Sequence, residues 1–425
     1  MLKQLEKTHV FQTPSGMKVT ILYKPDFKQQ TMIVGVPFGG IHSNVYDEQN
    51  QLYKPGLAHF LEHKLFESES GDIMAQFSQL GAQVNAFTSY QETCYYFNTT
   101  TKFKEASNLL LDLVSDCSLS EESVEKEKGI IISELSMYEA MVDQALVKNL
   151  YKSLYHQHPI IHDIGGSKQS VTDTTLIQLM DAFHRFYHPT LMQCVCVTNE
   201  SIETVESMIL SHPISSNVKE KKIVIEALIY EPREVAFKNI DVSMDIEVAK
   251  GVYALKLDAH DGQPMSNVLK QFAIRFLLEA TFSELNPLYQ QWLDEELIND
   301  YFDMDVDVSQ NYSYVAFLCE HEHLDKVFDL IEATLKTVDL DEMTLNQLKR
   351  RYLGMSLKAL NKPSSLSKQL IRYALNNLDF FDVLGLFQSM SMDDIALAKQ
   401  HLLESLSHSS RVKITPQSKH VRNDG

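Results

Sequence analysis

His59-Phe60-Leu61-Glu62-His63 places two imidazoles and one carboxylate within a single helical turn's length of chain. The apolar spacing of Leu57, Phe60, Leu61, Leu65 and Phe66 after Pro55-Gly56 predicts a helix over this stretch. At 100° per residue the three polar side chains then leave within about 100° of arc, on one face. Two histidines one turn apart can chelate a single Zn²⁺, and a glutamate beside them is placed to deprotonate a water. On a solvated helix face the same spacing would do nothing, so further donors must converge there.

A second helix supplies carboxylates in an unusual place. Ser120 is a plausible N-cap, and Val124, Ile131, Leu135 and Tyr138 form an apolar stripe on a helix expected to run beyond Glu139. Glu127 and Glu134, seven residues apart, lie almost on top of that stripe. A buried carboxylate costs several kcal/mol unless a cation compensates it. Either this helix edge is wet, or its glutamates face positive charge.

Other clusters carry weaker signals. His156, His158 and His162 surround Pro159 and read as a loop or helix end. Cys194 and Cys196 share one face of a strand and read as buried thiols. His184 and His188 are four apart, with no carboxylate at motif spacing and with Pro189 following.

The elements that must position these groups are legible in outline. Val10 to Phe38 is strand-like around a Ser15-Gly16 turn, a further helix is expected over Gly71 to Leu80, and Val84 to Phe97 reads as paired strands. Phe103, Ala106, Leu109, Leu110 and Leu113 mark a helix, and Leu191 to Val197 a closing strand. Between Ser211 and Glu234 periodicity is lost while Pro213, Ser215, Ser216, the Lys219 to Lys222 cluster and Pro232 accumulate. The expected organisation is therefore a first domain over 1–212, a linker over 213–234 and a second domain over 235–425. The second half repeats the element order: a β-rich Val235 to Leu257, a helix from about Met265 to Leu285, strands near Phe302 and over Tyr312 to Cys319, then helices. This predicts an α+β fold of two similar layered α/β domains with mainly antiparallel sheets. Gln417 to Gly425 is polar and reads as a frayed end.

Composition limits the partners. With 425 residues and 44% apolar side chains the chain can bury substantial cores. Subtracting 57 acidic from 38 basic residues leaves −19, which disfavours nucleic acid and anionic membrane surfaces. Five scattered cysteines (Cys94, Cys117, Cys194, Cys196, Cys319) suggest a reducing compartment. The N-terminal residues lack a signal-peptide pattern and no apolar run approaches the roughly 20 residues of a membrane span, so a cytoplasmic location is expected.

Taken together, His59, Glu62 and His63, with Glu134 in Gly129-Ile130-Ile131-Ile132-Ser133-Glu134-Leu135 following 71 residues after His63, resemble the inverted zinc motif of the pitrilysin/insulinase family of metallopeptidases. Gly81 to Ser89 with Thr93 and Tyr95, the Glu125 to Gly129 run, and Leu154-Tyr155 through His158-Pro159 to Gly165-Gly166 are similar to further family blocks. The resemblance spans the first domain by motif and the second by element order, at the length of the half-size, processing-peptidase-like bacterial members. It implies one Zn²⁺ per chain held by His59, His63 and Glu134, Glu62 as general base, and Glu127 orienting a ligand histidine. It also implies that Asn85, Ala86 and Phe87 lie on an edge strand to which an extended peptide adds; from the residues alone, Val84 to Phe87 is an ordinary core strand. The two domains would form one half of a clam-shell.

One segment departs from the family pattern. The Arg and Tyr that steady the tetrahedral intermediate belong to a Leu-Arg-Glu stretch ending in Tyr. Here that stretch is Leu293-Asp294-Glu295 to Tyr301, so Tyr301 is present while Asp294 replaces the Arg. An acid cannot stabilise an oxyanion. The resemblance thus implies a homodimer, or a heterodimer with a homologous half-size subunit supplying Arg and Tyr. The expected function is a zinc-dependent endopeptidase that cleaves peptides or unfolded segments in a closed chamber. The alternative is a non-catalytic structural or assembly subunit that keeps the fold.

Overall fold

The computed structural model describes residues 7–68, 71–216, 222–258 and 263–417. Most of the Lys219 to Lys222 cluster, and all of the polar tail after Gln417, lie outside the described residues. Among the described residues, thirteen strands are formed: β1 (Lys7–Gln12), β2 (Lys18–Tyr23), β3 (Gln30–Val36), β4 (Glu67–Ser68), β5 (Gly71–Asp72), β6 (Ala82–Thr88), β7 (Thr93–Thr99), β8 (Gln193–Thr198), β9 (Asn239–Met244), β10 (Lys250–Lys256), β11 (Asp303–Val308), β12 (Ser313–Glu320) and β13 (Ser409–Pro416). Six of them make a sheet in the order β1-β2-β8-β3-β7-β6, and five make a second in the order β11-β12-β10-β13-β9; β4 and β5 pair separately.

The two large sheets share one wiring scheme. In each, an early strand pairs in parallel with the last strand (β2 with β8, β9 with β13), and the remaining pairs among the five equivalent strands are antiparallel. The first sheet adds β1 through the Ser15-Gly16 hairpin. The repeated element order in the sequence is therefore a repeated topology, and the fold is α+β with mainly antiparallel sheets. The return of β8 between β2 and β3 is a long-range pairing that local alternation does not encode.

The chain forms two compact units that are not contiguous in sequence. One comprises 1–136, 162–228 and 355–382; the other comprises 137–161, 229–354 and 383–425. The crossing after Leu228 falls within the 213–234 segment, but two helices are exchanged across it. The helix Pro363–Leu375, here called the covering helix, packs on β3 and β8 of the first unit, and the helix Val142–Leu154 packs on β9, β10 and β13 of the second. The physical reason lies in the central strands. All seven residues of β3 are buried and six of seven in β10, so both sheet faces must be covered.

The connector itself is stitched down at each end. Tyr46 N–H donates to Ile225 O, Ala227 N–H to Asn44 O, and the Arg185 guanidinium to Ile223 O, all within the first unit. In the second, Glu231 accepts the N–H groups of His156, Gln157 and His158 and pairs with Lys256. The first unit's core lies on the β2, β3 and β7 face formed by Met17, Val19, Ile21, Met32, Val34, Tyr95 and Phe97, under helix residues including Phe60, Leu61, Leu110, Ile131 and Phe183.

Candidate metal centre

The motif helix is Leu57–Leu65, and the glutamate helix is Glu121–Glu139, which ends there before a separate helix begins at Val142. Leu57, Phe60, Leu61 and Leu65 are buried as their spacing requires. This leaves His59, Glu62 and His63 on the other flank of the helix. Val124, Ile131 and Leu135 anchor the glutamate helix in the same core, and Glu127 is buried beside them.

His59, His63 and Glu134 each offer one ligand atom, and the three atoms lie within 4.8 Å of one another. Glu134 Oε2 is 3.4 Å from His63 Nε2 and 3.9 Å from His59 Nε2. A tetrahedral zinc with bonds near 2.05 Å sets neighbouring donors about 3.3 Å apart, so the spacing suits one ion. Glu134 Oε2 is also buried without a hydrogen-bond partner, as is His59 Nδ1. An orphaned carboxylate oxygen aimed at two imidazole nitrogens is costly unless a cation binds there. Two nitrogens and one carboxylate oxygen, with a fourth position open, is the donor set of a catalytic zinc site. The residues present fit the metal.

The surrounding groups fix these donors. His63 Nδ1 lies 2.9 Å from Glu127 Oε1, which orients the ring and leaves Nε2 toward Glu134. Thr88 on β6 donates its hydroxyl proton to Glu62 Oε2. Burial raises the Glu62 pKa, against the Thr88 hydrogen bond. Burial pulls His59 down to about 4, helped by the charge of His63, so its imidazole is neutral. Burial also acts downward on His63, but the Glu127 hydrogen bond and the carboxylates Glu134, Glu127 and Glu62 outweigh it and raise its pKa. The same hydrogen bond holds Glu127 below the ordinary glutamate range.

Several supporting residues carry no signal in local periodicity. Lys64 is fully buried, pairs with Glu67 and donates to Ser123 O at 3.1 Å, tying the motif helix to the start of the glutamate helix. Gly56 caps the motif helix at φ +93°, where a Cβ would stand 2.4 Å from Gly165 O. A Cβ on Gly165 would in turn meet Leu135 at 2.9 Å and come within 3.6 Å of His59 Nδ1. These glycines let the 163–166 loop press against both helices. The spacing of a Gly before a helix and a distant Gly-Gly pair was the available trace of this contact.

The structure places the remaining candidates as follows. Asn85, Ala86 and Phe87 lie on β6, one of the two edges of the first sheet among the described strands, and the Ala86 N–H donates to Asn85 Oδ1 at 2.8 Å. Tyr301 precedes β11 in the second unit, where its hydroxyl donates to Asp143 Oδ1 at 2.7 Å and Lys250 Nζ stands 3.9 Å from its ring centre. Asp294 accepts from Gln290, one turn back. His158 is buried, and its Nδ1 accepts from Ile160 N–H; His188 Nδ1 accepts from Thr190 N–H. Cys194 and Cys196 are buried free thiols. Among the described residues, His59, His63 and Glu134 form the one cluster of metal-binding geometry.

The segment that carries the site is similar to known peptidases. The family model described as Insulinase (Peptidase family M16) matches residues 44–167, which contain the motif helix, β6 and the glutamate helix. Over that segment the chain resembles the insulinase family. The chain is 27% identical, over 98% of each sequence, to the "uncharacterized zinc protease YmfH" of Bacillus subtilis. It is 26% identical to the mitochondrial-processing peptidase subunit beta of Saccharomyces cerevisiae over 43% of this chain and 39% of that one. Its fold matches the crystal structure of an M16-like peptidase from Alicyclobacillus acidocaldarius with a TM-score of 0.91 at 26% identity, covering 97% of this chain and 99% of that one. Among the described residues no helix is long and apolar enough to cross a membrane.

Proposed function

We propose that this chain is a zinc-dependent endopeptidase acting on peptides or unfolded segments. The observation that carries the proposal is the convergence of His59 Nε2, His63 Nε2 and an otherwise partnerless Glu134 Oε2 beside a carboxylate, Glu62, that is not one of the three donors. A bound Zn²⁺ would be held by these three residues and would supply Lewis acidity toward a carbonyl oxygen and lower the pKa of water. Glu62 takes the proton of the attacking water and passes it to the leaving amide nitrogen, a task suited to a carboxylate whose pKa burial has raised. Thr88 holds Glu62 in position through its hydroxyl. Glu127 holds His63 through Nδ1 and keeps Nε2 free for the metal. Outside the metal site, the open edge of β6 at Asn85, Ala86 and Phe87 receives the substrate as an added strand, so backbone groups rather than one side chain provide most of the affinity.

Asp294 favours a role for a second chain. The segment that ends in Tyr301 contributes a phenol and no cation of its own, and loss of one oxyanion donor lowers turnover by about 100- to 1000-fold. A homologous half-size subunit carrying Arg and Tyr would complete the site, with Tyr301 serving in a homodimer. The same substitution is what a non-catalytic subunit that keeps the fold would tolerate.

Elemental analysis and a peptide-cleavage assay, run with and without such a partner, test these statements together. Wild type should hold one zinc per chain. His63→Ala should lose it, and Glu62→Gln should keep it while losing hydrolysis. Unchanged zinc in both His59→Ala and His63→Ala would falsify the site. Full zinc with no cleavage in any combination would support the non-catalytic subunit.

A further inference from the structure

Lys368 sits on the covering helix in an unusual setting. Its Nζ is 3.1 Å from the Tyr96 hydroxyl, 4.2 Å from the centre of the Tyr96 ring and 5.6 Å from that of Phe87. The two rings are themselves 6.4 Å apart. Among the described residues no carboxylate forms an ion pair with it, although the chain carries 57 acidic side chains against 38 basic ones. A half-buried ammonium held by one phenol and two aromatic faces keeps an unneutralised charge and free donor capacity.

Its relation to the open strand follows from the pleat. Val84 and Ala86 pack into the core beneath the motif helix, and Thr88 reaches Glu62, so these residues share the metal-centre face. Asn85 and Phe87 point the other way. On that second face Phe87 is paired with Cys94 and Cys94 with Gly35, and a Cβ on Gly35 would stand 3.0 Å from Ile371 and Leu375 of the covering helix. Lys368 and the metal centre therefore flank β6 on opposite faces. A peptide added beside β6 alternates in the same way, with every second side chain leaving on the Lys368 face.

We propose that Lys368, framed by Phe87 and Tyr96, selects substrates that carry an acidic side chain at these alternate positions. The inference rests on β6 being the peptide-binding edge and names the side-chain chemistry that edge reads. A carboxylate there accepts a charge-assisted hydrogen bond from Nζ in a partly desolvated setting, where the attraction exceeds its value in open water. A lysine at the same position meets like charge.

The test is one extended peptide in which Glu, Gln and Lys are scanned through each position. It is assayed with zinc-loaded wild type, Lys368→Met and Lys368→Glu, with zinc content and Tm measured for all three. For wild type, kcat/KM should favour Glu over Lys by about tenfold, an attraction and a repulsion each worth a few-fold, and at every second position only. Lys368→Met should remove the preference, and Lys368→Glu should reverse it. Reversal is a gain that a misfolded variant cannot produce. Equal cleavage of Glu and Lys peptides by wild type, or a preference that survives in Lys368→Met, overturns this inference and leaves the peptidase reading standing. No cleavage of any peptide by zinc-loaded wild type, alone or with a homologous half-size partner, overturns both.

Discussion

The His63 ring has a task at each nitrogen: Nε2 faces Glu134 Oε2 at 3.4 Å, and Nδ1 meets Glu127 at 2.9 Å. Removing the charge from Glu127 while keeping its shape should therefore loosen the metal without dismantling the helices. Glu127→Gln is expected to weaken zinc affinity by about 10- to 100-fold, read by competition with a chromogenic chelator, while the far-ultraviolet circular dichroism stays unchanged. At this scale the sequence was highly informative for His59, Glu62 and His63, because a helix of known period converts spacing directly into a shared face. Glu127 and Glu134 could be seen as charges on an apolar stripe, although their assignment to the candidate metal site came only through a family resemblance. Thr88 could not be found in this way. It reaches Glu62 from 26 residues away, and only the packing of β6 under the motif helix brings the two together. Lys64 was equally hidden, since a lysine on a helix is normally a solvated one, and this one is fully buried.

Among the elements, β6 carries the proposed peptide-binding edge. Val84 to Phe87 has the composition of a core strand, and what makes it an edge is the order of the sheet, which leaves β7 on one side and nothing on the other among the described strands. Substituting Ala86 by Pro removes the N–H that now donates to Asn85 Oδ1. Ala86→Pro, combined with Glu62→Gln to prevent turnover, is expected to weaken peptide binding at least tenfold in a fluorescence-anisotropy titration and to leave zinc content unchanged. Binding as tight as the parent's would count against strand addition at this edge. The helices marked by apolar spacing, such as Phe103–Ser115 and Pro264–Thr281, were legible to within a few residues, whereas Val142–Leu154 and Pro363–Leu375 were not recognised as separate elements. Sheet order was not legible, because β8 lies between β2 and β3, each more than 150 residues away in sequence, and no local pattern records a partner that distant.

For the whole molecule, the exchange of two helices changes what a cut in the connector would do. A break between Ser216 and Lys222 leaves an N-terminal piece carrying the helix Val142–Leu154, which belongs to the second unit, and a C-terminal piece carrying the covering helix, which belongs to the first. The composition of 213–234 alone suggests that such pieces would part as two compact bodies. With the helices exchanged, they should instead co-elute on size exclusion and separate only in denaturant, a result an engineered protease site in this segment can check. Each piece alone would bare a sheet face lined by residues such as Ile33, Val195 and Val197, or Val252 and Ala254.

The covering helix also imposes an order on the chain's birth. All six strands of the first sheet, with both histidines, Glu62 and Glu134, have been synthesised once Thr198 has left the ribosome, yet Pro363 follows 165 residues later. At about 5 to 20 residues per second that is a wait of roughly 8 to 33 s with one face of the sheet bare. A ribosome that stalls in this interval releases a polypeptide that carries His59, His63 and Glu134 together with a sheet whose second face is uncovered. Translation through Leu375 is thus what completes a sheet whose last strand was already made at Thr198.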